Sequence, residues 1–408
     1  MSNIAIIAEY NPFHNGHKYL IDKAREKTGL DTVVALMSGN FVQRGAPAMA
    51  DKYSRAEAAI LGGASIVLEL PVIYATGSAR DFAEGAINML DKLNSIEYLA
   101  FGAEDERMDI FDRVSDILAY EPKEYTILLN NYLTKGLSYP AASEKAIVKM
   151  LGNDKSDIIS KPNNILAISY FAAIKKYSSK IKPVIIKRSD DGYHSDSFSG
   201  AYASASAIRK AISEKKKIND YIPHKCIDSY LHYLGKELPD CEWLTPFIAS
   251  RLIYDRNLDP EISALNMTLD MNQELLNRIR KAPLPAKYVE LSDYLKTKNL
   301  TLSRVSRVLL HMVLGINDND RTLSTENGYS EYVNLLALDK NYSQKVKELT
   351  MLSKLKVINK KSEFKPETEL GQRMWQLDIL ATDLYNQMIY ENINIRLKRE
   401  KACTVRTI

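Results

Sequence analysis

Short apolar runs alternate with segments of helical periodicity through the first half of the chain. Five runs predict strands, at residues 4–8, 32–37, 65–70, 96–101 and 182–187. Helical patterns lie between them, at 16–28, 52–62, 78–93 and 163–177. Strands that are apolar on both faces and alternate with helices predict a doubly wound, parallel α/β sheet. Ligands of such sheets bind at the carboxyl ends of the strands, where the strand order reverses.

Two regions depart from this alternation. Residues 106–160 contain three helical patterns with no strand between them, which predicts a helical insertion. From residue 219 onward, Tyr and Leu recur at helical spacing and prolines interrupt the chain. We therefore expect an α/β catalytic domain at 1–218 and a mostly α-helical region at 219–408.

Composition narrows the function classes. The 408 residues carry a formal net charge of +4 and contain three widely separated cysteines, Cys226, Cys241 and Cys403. This spacing indicates a reducing cytoplasm and argues against a structural zinc site. No apolar run is long enough for a membrane span, and the N-terminus enters a strand directly, so we expect neither a membrane segment nor a secretory signal.

Basic residues gather in clusters in the C-terminal half. One such cluster is typical of a solvated helix face, whereas several clusters in one half favour a nucleic-acid surface. Two of these residues share one face of the amphipathic segment 300–314 and are candidates for RNA contact, namely Arg304 and Arg307. The other clustered residues are Arg278, Arg280, Lys281, Arg396, Lys398, Arg399, Lys401 and Arg406.

The strongest candidate chemistry is His14-Asn15-Gly16-His17, which follows the first strand and precedes a helical pattern from Lys18. A helix N-terminus attracts anions through its free N–H groups and its dipole. Gly16 has no side chain to hold a phosphate away from the backbone. Two surface histidines in a loop are the alternative interpretation, but the strand before them and the helix after them favour a phosphate site.

Polar residues also follow the second strand and precede the fourth helix. Asn40, Gln43 and Arg44 are candidates for binding a small anion, since Arg suits carboxylates, and ordinary turn chemistry is the alternative. Asn163 and Asn164 follow a proline at a predicted helix start. One Asn is sufficient as the N-cap, so the other is available to a ligand.

Two more polar segments follow the fifth strand. Its loop holds Asp190, Asp191, His194 and Asp196, for which we favour a polar loop over a metal site. Beyond it, Ser204, Ser206 and Arg209 belong to a Ser-x-Ser-x-Ile-Arg sequence at a helix start. These three are candidate phosphate contacts, and N-capping by a serine is the alternative.

These motifs resemble those of the bacterial tRNA(Met) cytidine acetate ligases, within the H-x-G-H nucleotidyltransferase superfamily. The similar strings are Glu-Tyr-Asn-Pro-Phe-His-Asn-Gly-His at 9–17, Met-Ser-Gly-Asn-Phe-Val-Gln-Arg-Gly at 37–45, Glu-Leu-Pro at 69–71, Phe-Gly at 101–102 and Pro-Asn-Asn-Ile-Leu at 162–166. The basic helix at 302–311 looks similar as well. The resemblance is dense over residues 1–210 and thin beyond them.

The resemblance implies a five-stranded, Rossmann-like (HUP-type) domain that uses ATP with Mg²⁺ and acetate to acetylate N4 of the wobble cytidine of elongator tRNA(Met). It implies that His14 and His17 are catalytic, because in the superfamily they stabilise charge at the α-phosphorus. With acetate as the small anion, its candidate contacts are Asn40, Gln43 and Arg44. The implied ATP contacts are Ile7, Ala8, Glu9, Tyr10, Asn11, Pro12, Phe13, His14, Asn15, Gly16, His17, Lys18, Gly102, Asn163 and Arg188.

Region 219–408 would then bind tRNA, with Arg304 and Arg307 as contacts. Two alternatives remain open. One is an adenylyltransferase that acts on a small phosphorylated metabolite, for which a basic helical half is unnecessary. The other is a non-enzymatic RNA-binding protein with a relic nucleotide fold. The sequence indicates no protein partner and no resident metal.

Overall fold

The computed structural model describes residues 2–152, 159, 161–188, 202–257 and 264–408. Its strands, in chain order, are β1 (Asn3–Ala8), β2 (Val33–Ser38), β3 (Phe41–Val42), β4 (Ala46–Pro47), β5 (Ile66–Leu70), β6 (Ile96–Ala103), β7 (Lys182–Lys187), β8 (Tyr332–Leu338), β9 (Lys356–Ile358) and β10 (Arg406–Thr407). Eight of them form one sheet in the order β10-β8-β5-β2-β1-β6-β7, in which β9 also pairs with β8. The short β3 and β4 pair separately.

The helices cover both faces and fill the C-terminal region. They are α1 (Asn15–Thr28), α2 (Lys52–Leu61), α3 (Val72–Ala75), α4 (Ala79–Lys92), α5 (Met108–Tyr120), α6 (Lys123–Thr134), α7 (Tyr139–Leu151), α8 (Pro162–Lys176), α9 (Ala205–Ser213), α10 (His224–Ile227), α11 (Thr245–Arg256), α12 (Gln273–Lys281), α13 (Tyr288–Leu295), α14 (Leu302–Leu314), α15 (Asp318–Glu326), α16 (Ser343–Leu352) and α17 (Glu369–Ile393). Among the described residues, no helix is both long and apolar enough to cross a bilayer.

The predicted doubly wound sheet is confirmed. All five expected strands are present as β1, β2, β5, β6 and β7, and they pair in parallel. The chain leaves β1 for β2 on one side and later returns to β6 on the other side of β1. The strand order therefore reverses at the carboxyl end of β1, which is where the histidine motif begins.

The expected number of five strands was too small. The C-terminal region contributes β8, which runs antiparallel to β5, together with β9 and β10. Strand β8 is buried on both faces over Tyr332–Ala337, so its sequence does not alternate between apolar and polar residues. Without that alternation, a short apolar run cannot be distinguished from part of a buried helix. The sheet thus crosses the expected division between 218 and 219, and that division stays a prediction.

A buried cluster of charges ties the C-terminal region to the sheet. Lys52 lies 2.7 Å from Glu69 and 3.0 Å from Glu400, and Lys361 lies 2.9 Å from Glu400, measured between nitrogen and oxygen atoms. All four residues are at most 4% exposed. We call Lys52, Glu69, Lys361 and Glu400 the ion cluster. Its members come from β5, α2 and two C-terminal segments, so it fixes the C-terminal segment against the N-terminal half of the chain.

Candidate active site

The two motif histidines form a stacked pair at the start of α1. His14 is the N-cap residue, and its Nδ1 accepts a hydrogen bond from the Gly16 N–H at 3.1 Å. His17 Nδ1 accepts from the His14 N–H at 3.2 Å, and the two ring centroids lie 3.8 Å apart. Since both Nδ1 atoms accept, a neutral ring at either position carries its proton on Nε2. Each histidine therefore offers one Nε2–H donor.

Burial keeps both imidazoles neutral. Burial, together with the nearby positive charges of Arg188 and Arg209, lowers the pKa of His14 to about 3. The pKa of His17 is held well below its usual value by burial, by His14 and by Arg188. The histidines are thus neutral hydrogen-bond donors, and the positive charges that act on them are those of Arg188 and Arg209.

Residues from beyond position 218 hold the motif loop in place. The Phe13 N–H donates to the Tyr230 hydroxyl at 3.0 Å, and the Asn15 N–H donates to the Tyr221 carbonyl at 2.9 Å. Phe13 packs so closely on Gly62 that a Cβ there would approach its ring to 2.2 Å. Neither tyrosine was predicted from the sequence, because contacts across about two hundred residues leave no local signal.

A second group of predicted residues meets at the carboxyl ends of β6 and β7. Arg188 donates to Asn163 Oδ1 at 3.2 Å, and a Cβ on Gly102 would lie 3.3 Å from Arg188 Cγ. Glu104 accepts the N–H groups of Asn163 and Asn164 at 3.4 and 3.0 Å. Gly102, Asn163 and Arg188 are thus brought together, and Glu104, which the sequence did not single out, fixes the asparagines.

The expectation of an Asn N-cap for this helix was wrong. The N-cap of α8 is Lys161, whose side chain makes no capping hydrogen bond, and the Glu104 carboxylate accepts the N–H groups of the first turn instead. Asn164 is fully buried, and its Oδ1 accepts the Glu104 N–H at 2.9 Å. The side chain of Asn163 contacts both Arg188 and Glu104, accepting from the first and donating to the second.

One cleft joins the histidine pair to the arginine. Its lining includes five residues that are expected to contact ATP, from the histidine motif, from β6 and from the position after β7. It also includes five that were not predicted. The expected residues are His14, Gly16, His17, Gly102 and Arg188, and the others are Tyr19, Leu20, Ile186, Lys187 and Tyr202. Tyr19 and Tyr202 have ring centroids 5.9 Å apart.

The remaining residues that are expected to contact ATP lie at the end of β1, in the turn that follows it and at the start of α1. Ile7 and Ala8 end β1, and Tyr10 adopts a left-handed backbone with φ +45°. Glu9 Oε1 accepts the Gln43 N–H at 2.9 Å, and Asn11 Oδ1 accepts the Met49 N–H at 2.8 Å. These polar side chains hold neighbouring loops. Pro12 precedes Phe13 in the same turn, and Lys18 forms a half-exposed ion pair with Asp22.

The candidate phosphate contacts at α9 divide by role. Ser204 is the N-cap, and its Oγ accepts the Ala207 N–H at 3.1 Å. Ser206 is exposed and lies 3.0 Å from Ser204, measured between the hydroxyl oxygens. Arg209 donates to the Asn11 carbonyl at 2.6 Å, which ties α9 to the motif loop and places its charge near His14.

The candidate acetate contacts are engaged with the protein in two of three cases. Asn40 Oδ1 accepts the Lys52 N–H at 2.8 Å, and Gln43 Nε2 donates to the Gly77 carbonyl at 3.1 Å. Arg44 is exposed. An unpredicted buried arginine, Arg55, donates to the carbonyls of Glu9, Ser38 and Ala50 and so links this loop to β1.

The two predicted RNA-binding arginines share an acidic partner. Arg304 donates to the Asp270 carbonyl at 2.9 Å, and Arg307 Nε lies 3.1 Å from Asp270 Oδ2. The backbone of Arg307 is also packed against Gly45, where a Cβ would approach its nitrogen to 2.5 Å. Helix α14 therefore supports the loop after β2, and tRNA contact by these arginines stays a prediction.

The described residues contain no group of three His, Cys, Asp or Glu side chains arranged to hold a metal ion. The predicted polar loop with Asp190, Asp191, His194 and Asp196 lies outside the described residues.

Comparisons with known proteins agree over nearly the whole chain. The tRNA(Met) cytidine acetate ligase of Caldanaerobacter subterraneus subsp. tengcongensis is 38% identical over 399 residues, which is 97% of each chain. The protein of the same name from Acetivibrio thermocellus is 34% identical over 96% of each chain.

Two crystal structures of Thermotoga maritima TmcAL superpose on this fold. The apo form has a TM-score of 0.91 at 28% identity and covers all of both chains. The form bound to alpha-thio ATP has a TM-score of 0.89 at 27% identity and covers 100% of this chain. The family model described as HIGH Nucleotidyl Transferase matches residues 1–401. The chain therefore belongs to the HIGH nucleotidyl transferase family.

Proposed function

We propose that this protein is a tRNA(Met) cytidine acetate ligase, which activates acetate with ATP and acetylates N4 of the wobble cytidine of elongator tRNA(Met). The observation that carries the proposal is the pair of neutral histidines beside Arg188, at a helix N-terminus on the strand-order switch. The names of the relatives and the ATP-analogue complex of the structural neighbour support it. A tRNA substrate would place the reaction in the cytoplasm.

In the first step, an acetate oxygen attacks the α-phosphorus of ATP. The new P–O bond forms as the bond to the β,γ-diphosphate breaks, which yields acetyl-adenylate and pyrophosphate. Negative charge builds on the phosphate oxygens, and the two Nε2–H groups would donate to them. The neutral imidazoles would stabilise the developing negative charge by hydrogen bonds alone, without transferring a proton as general acids. Mg²⁺ enters as part of the ATP substrate.

Arg188, Asn163 and Gly102 would bind the nucleotide beside this centre. Gly102 has no side chain to separate the nucleotide from β6, and Asn163 orients the arginine through its 3.2 Å hydrogen bond. In the acetate pocket, Arg44 is the proposed carboxylate partner, because its side chain is the exposed one of the three candidates. Asn40 and Gln43 would shape the loop that carries it.

In the second step, the N4 amine of the cytidine attacks the acetyl carbon. The C–N bond forms, AMP leaves with the anhydride oxygen, and one amine proton is released. The cytidine must be out of its stack to reach the site, and an anticodon loop is single-stranded and suited to this.

Acetate-dependent exchange of labelled pyrophosphate into ATP, without tRNA, tests the activation step. We expect exchange with acetate, followed by N4-acetylcytidine in nucleosides from tRNA(Met) incubated with the protein. Exchange only with a phosphorylated metabolite would instead establish the small-metabolite adenylyltransferase. Tight tRNA binding without ATP turnover under any acid would establish a non-enzymatic RNA-binding protein.

A further inference from the structure

The chain after α17 has no regular secondary structure over residues 394–399, and its side chains alternate there between the core and solvent. Ile395 and Leu397 pack against the hydrophobic core, whereas Arg396 and Lys398 are exposed. Such alternation is the period of an extended chain, which places the two basic side chains about 6.6 Å apart along it. We call residues 394–401 the basic tail.

The acidic residue of the basic tail is buried, whereas its basic residues are exposed. Glu400 is the only Asp or Glu between 394 and 408, and it is 1% exposed within the ion cluster. The residues on either side, Arg399 and Lys401, are exposed, and the Arg399 side chain is 86% exposed. The ion cluster thus neutralises the one acid of the tail and leaves four cationic side chains at the surface, of which Arg399 lies 3.8 Å from Asp383.

Glu400, which fixes the basic tail, lies at the edge of the sheet that is formed by the carboxyl ends of the parallel strands. Glu400 contacts Lys52, which in turn contacts Glu69 near the carboxyl end of β5. Next to the tail, Lys236 donates to the Ile393 carbonyl at 3.3 Å. The segment just before Lys236 includes Tyr230, whose hydroxyl accepts the Phe13 N–H of the histidine motif. The basic tail is therefore built onto the elements that hold the active site.

An aromatic ring accompanies the charges. The Arg396 guanidinium lies 4.7 Å from the Tyr390 ring centroid and donates to its hydroxyl at 3.0 Å. Tyr390 is 37% exposed. Exposed aromatic rings beside arginine are what proteins use to stack unpaired bases while cations hold the backbone.

We propose that the basic tail, together with Tyr390, is a docking surface for the sugar–phosphate backbone of the RNA next to the modified cytidine. The inference rests on the proposed function, because it takes the tRNA substrate as the ligand. Charge complementarity favours a polyanion, and the exposed ring favours an RNA over an acidic protein.

The test removes the four outward charges and leaves the anchor intact. The variant Arg396→Ala/Lys398→Ala/Arg399→Ala/Lys401→Ala is compared with the wild-type protein for binding of tRNA(Met) over a series of KCl concentrations. We expect the Kd at 100 mM KCl to rise by at least about tenfold. We also expect the slope of log K against log [KCl] to shrink by about 0.7–0.9 for each phosphate that the variant no longer neutralises.

A matched control removes the same charge elsewhere. Lys340, Lys345, Lys347 and Lys354 belong to a stretch that starts on the opposite edge, where the Asp339 N–H donates to the carbonyl of Ser65, just before β5. Their change to Ala should leave both the Kd and the salt slope near wild type. If both variants bind tRNA(Met) equally weakly, the loss depends only on the net charge of the protein, and the proposal of a docking surface is wrong.

Acetate-dependent pyrophosphate exchange without tRNA separates the two proposals. Exchange should be unchanged in both variants, since neither removes an active-site residue. If the tail variant binds tRNA(Met) with the wild-type Kd and salt slope, the docking surface is wrong and the proposed function stands. If the wild-type protein neither binds tRNA(Met) nor exchanges pyrophosphate with acetate, the proposed function itself fails.

Discussion

Two buried polar groups lie at the same edge of the sheet and behave in opposite ways. In the ion cluster, burial alone would lower the pKa of Lys52, but Glu400 and Glu69 raise it above its usual value. Burial likewise opposes the charge of Glu400, yet Lys52 and Lys361 lower its pKa to about 2. In the histidine pair, burial and the neighbouring arginines act in the same direction, so His14 stays neutral.

The ion cluster and the histidine pair differ in whether their charges are balanced within the protein. Each charge of the ion cluster has an opposite charge within 3.0 Å, so the cluster needs no ligand. The histidine pair instead lies beside cationic side chains in a cleft, and an anion entering that cleft would meet both donors and positive charge. The charges of the ion cluster neutralise one another and hold the fold, whereas the histidine pair is the proposed place for an anionic substrate.

The largest effect is expected from breaking the ion cluster. Glu400→Gln leaves Lys52 and Lys361 facing Glu69 alone, and removal of one partner of a buried ion pair typically costs about 3–5 kcal/mol of unfolding free energy. Urea unfolding measures it. The double variant Lys361→Met/Glu400→Gln restores the balance of charge and should be more stable than Glu400→Gln. Equal loss in both variants would contradict the role of charge pairing.

The next effect concerns the histidine pair. His14→Ala or His17→Ala removes one Nε2–H donor, and we expect acetate-dependent pyrophosphate exchange to fall by about 10²–10³-fold. His14→Asn should also lose exchange while keeping a good N-cap, so its stability should stay closer to wild type. His232→Ala changes an exposed histidine and is the control. Near-normal exchange in both alanine variants would exclude the donor role.

His14 and Asp378, a buried acid beside the ion cluster, should change the unfolding free energy with pH in opposite directions. The folded pKa of His14 is about 3, far below the unfolded value, so its contribution is present above pH 6.5 and is lost as pH falls toward 3. Beside the ion cluster, burial and Glu69 raise the pKa of Asp378 to about 7, so its contribution is present below pH 3.8 and is lost as pH rises through 7.

Variants separate the two contributions between pH 4.5 and 6.5. His14→Asn should flatten the rise of unfolding free energy with pH by up to about 1.4 kcal/mol per pH unit, and Asp378→Asn should steepen it by a similar amount. Denaturant unfolding at several pH values measures both slopes. Parallel curves for His14→Asn and the wild-type protein would mean that His14 titrates normally in the folded state.

The smallest effect should come from single hydroxyl groups behind the site. Tyr230→Phe removes the acceptor of the Phe13 N–H, which costs about 1 kcal/mol and loosens the motif loop. We expect the KM for ATP in the exchange reaction to rise several-fold. Tyr233→Phe removes a comparable bond to Asp51, outside the motif loop, and should reduce stability alone. The same KM change in both variants would contradict a specific support of the loop.

Much of the structure of the N-terminal half follows from local sequence. Strands β1, β2, β5, β6 and β7 each carry a continuous apolar run, and the helices between them have a clear period, so their order alone places His14 and His17 at the switch point. Gly102, Asn163 and Arg188 follow the same rule, because all three lie at strand ends or helix starts. Short-range patterns suffice where neighbours in sequence are also neighbours in the fold.

The remainder depends on contacts that no local pattern encodes. Strand β8 joins the sheet from the helical half, Tyr230 reaches Phe13, and Glu400 turns inward to Lys52. The protonation of the histidines also depends on burial beneath arginines that are distant in sequence. The residue types and their order indicate the chemistry, whereas charge state, loop support and the outward face of the basic tail arise only when remote segments pack together.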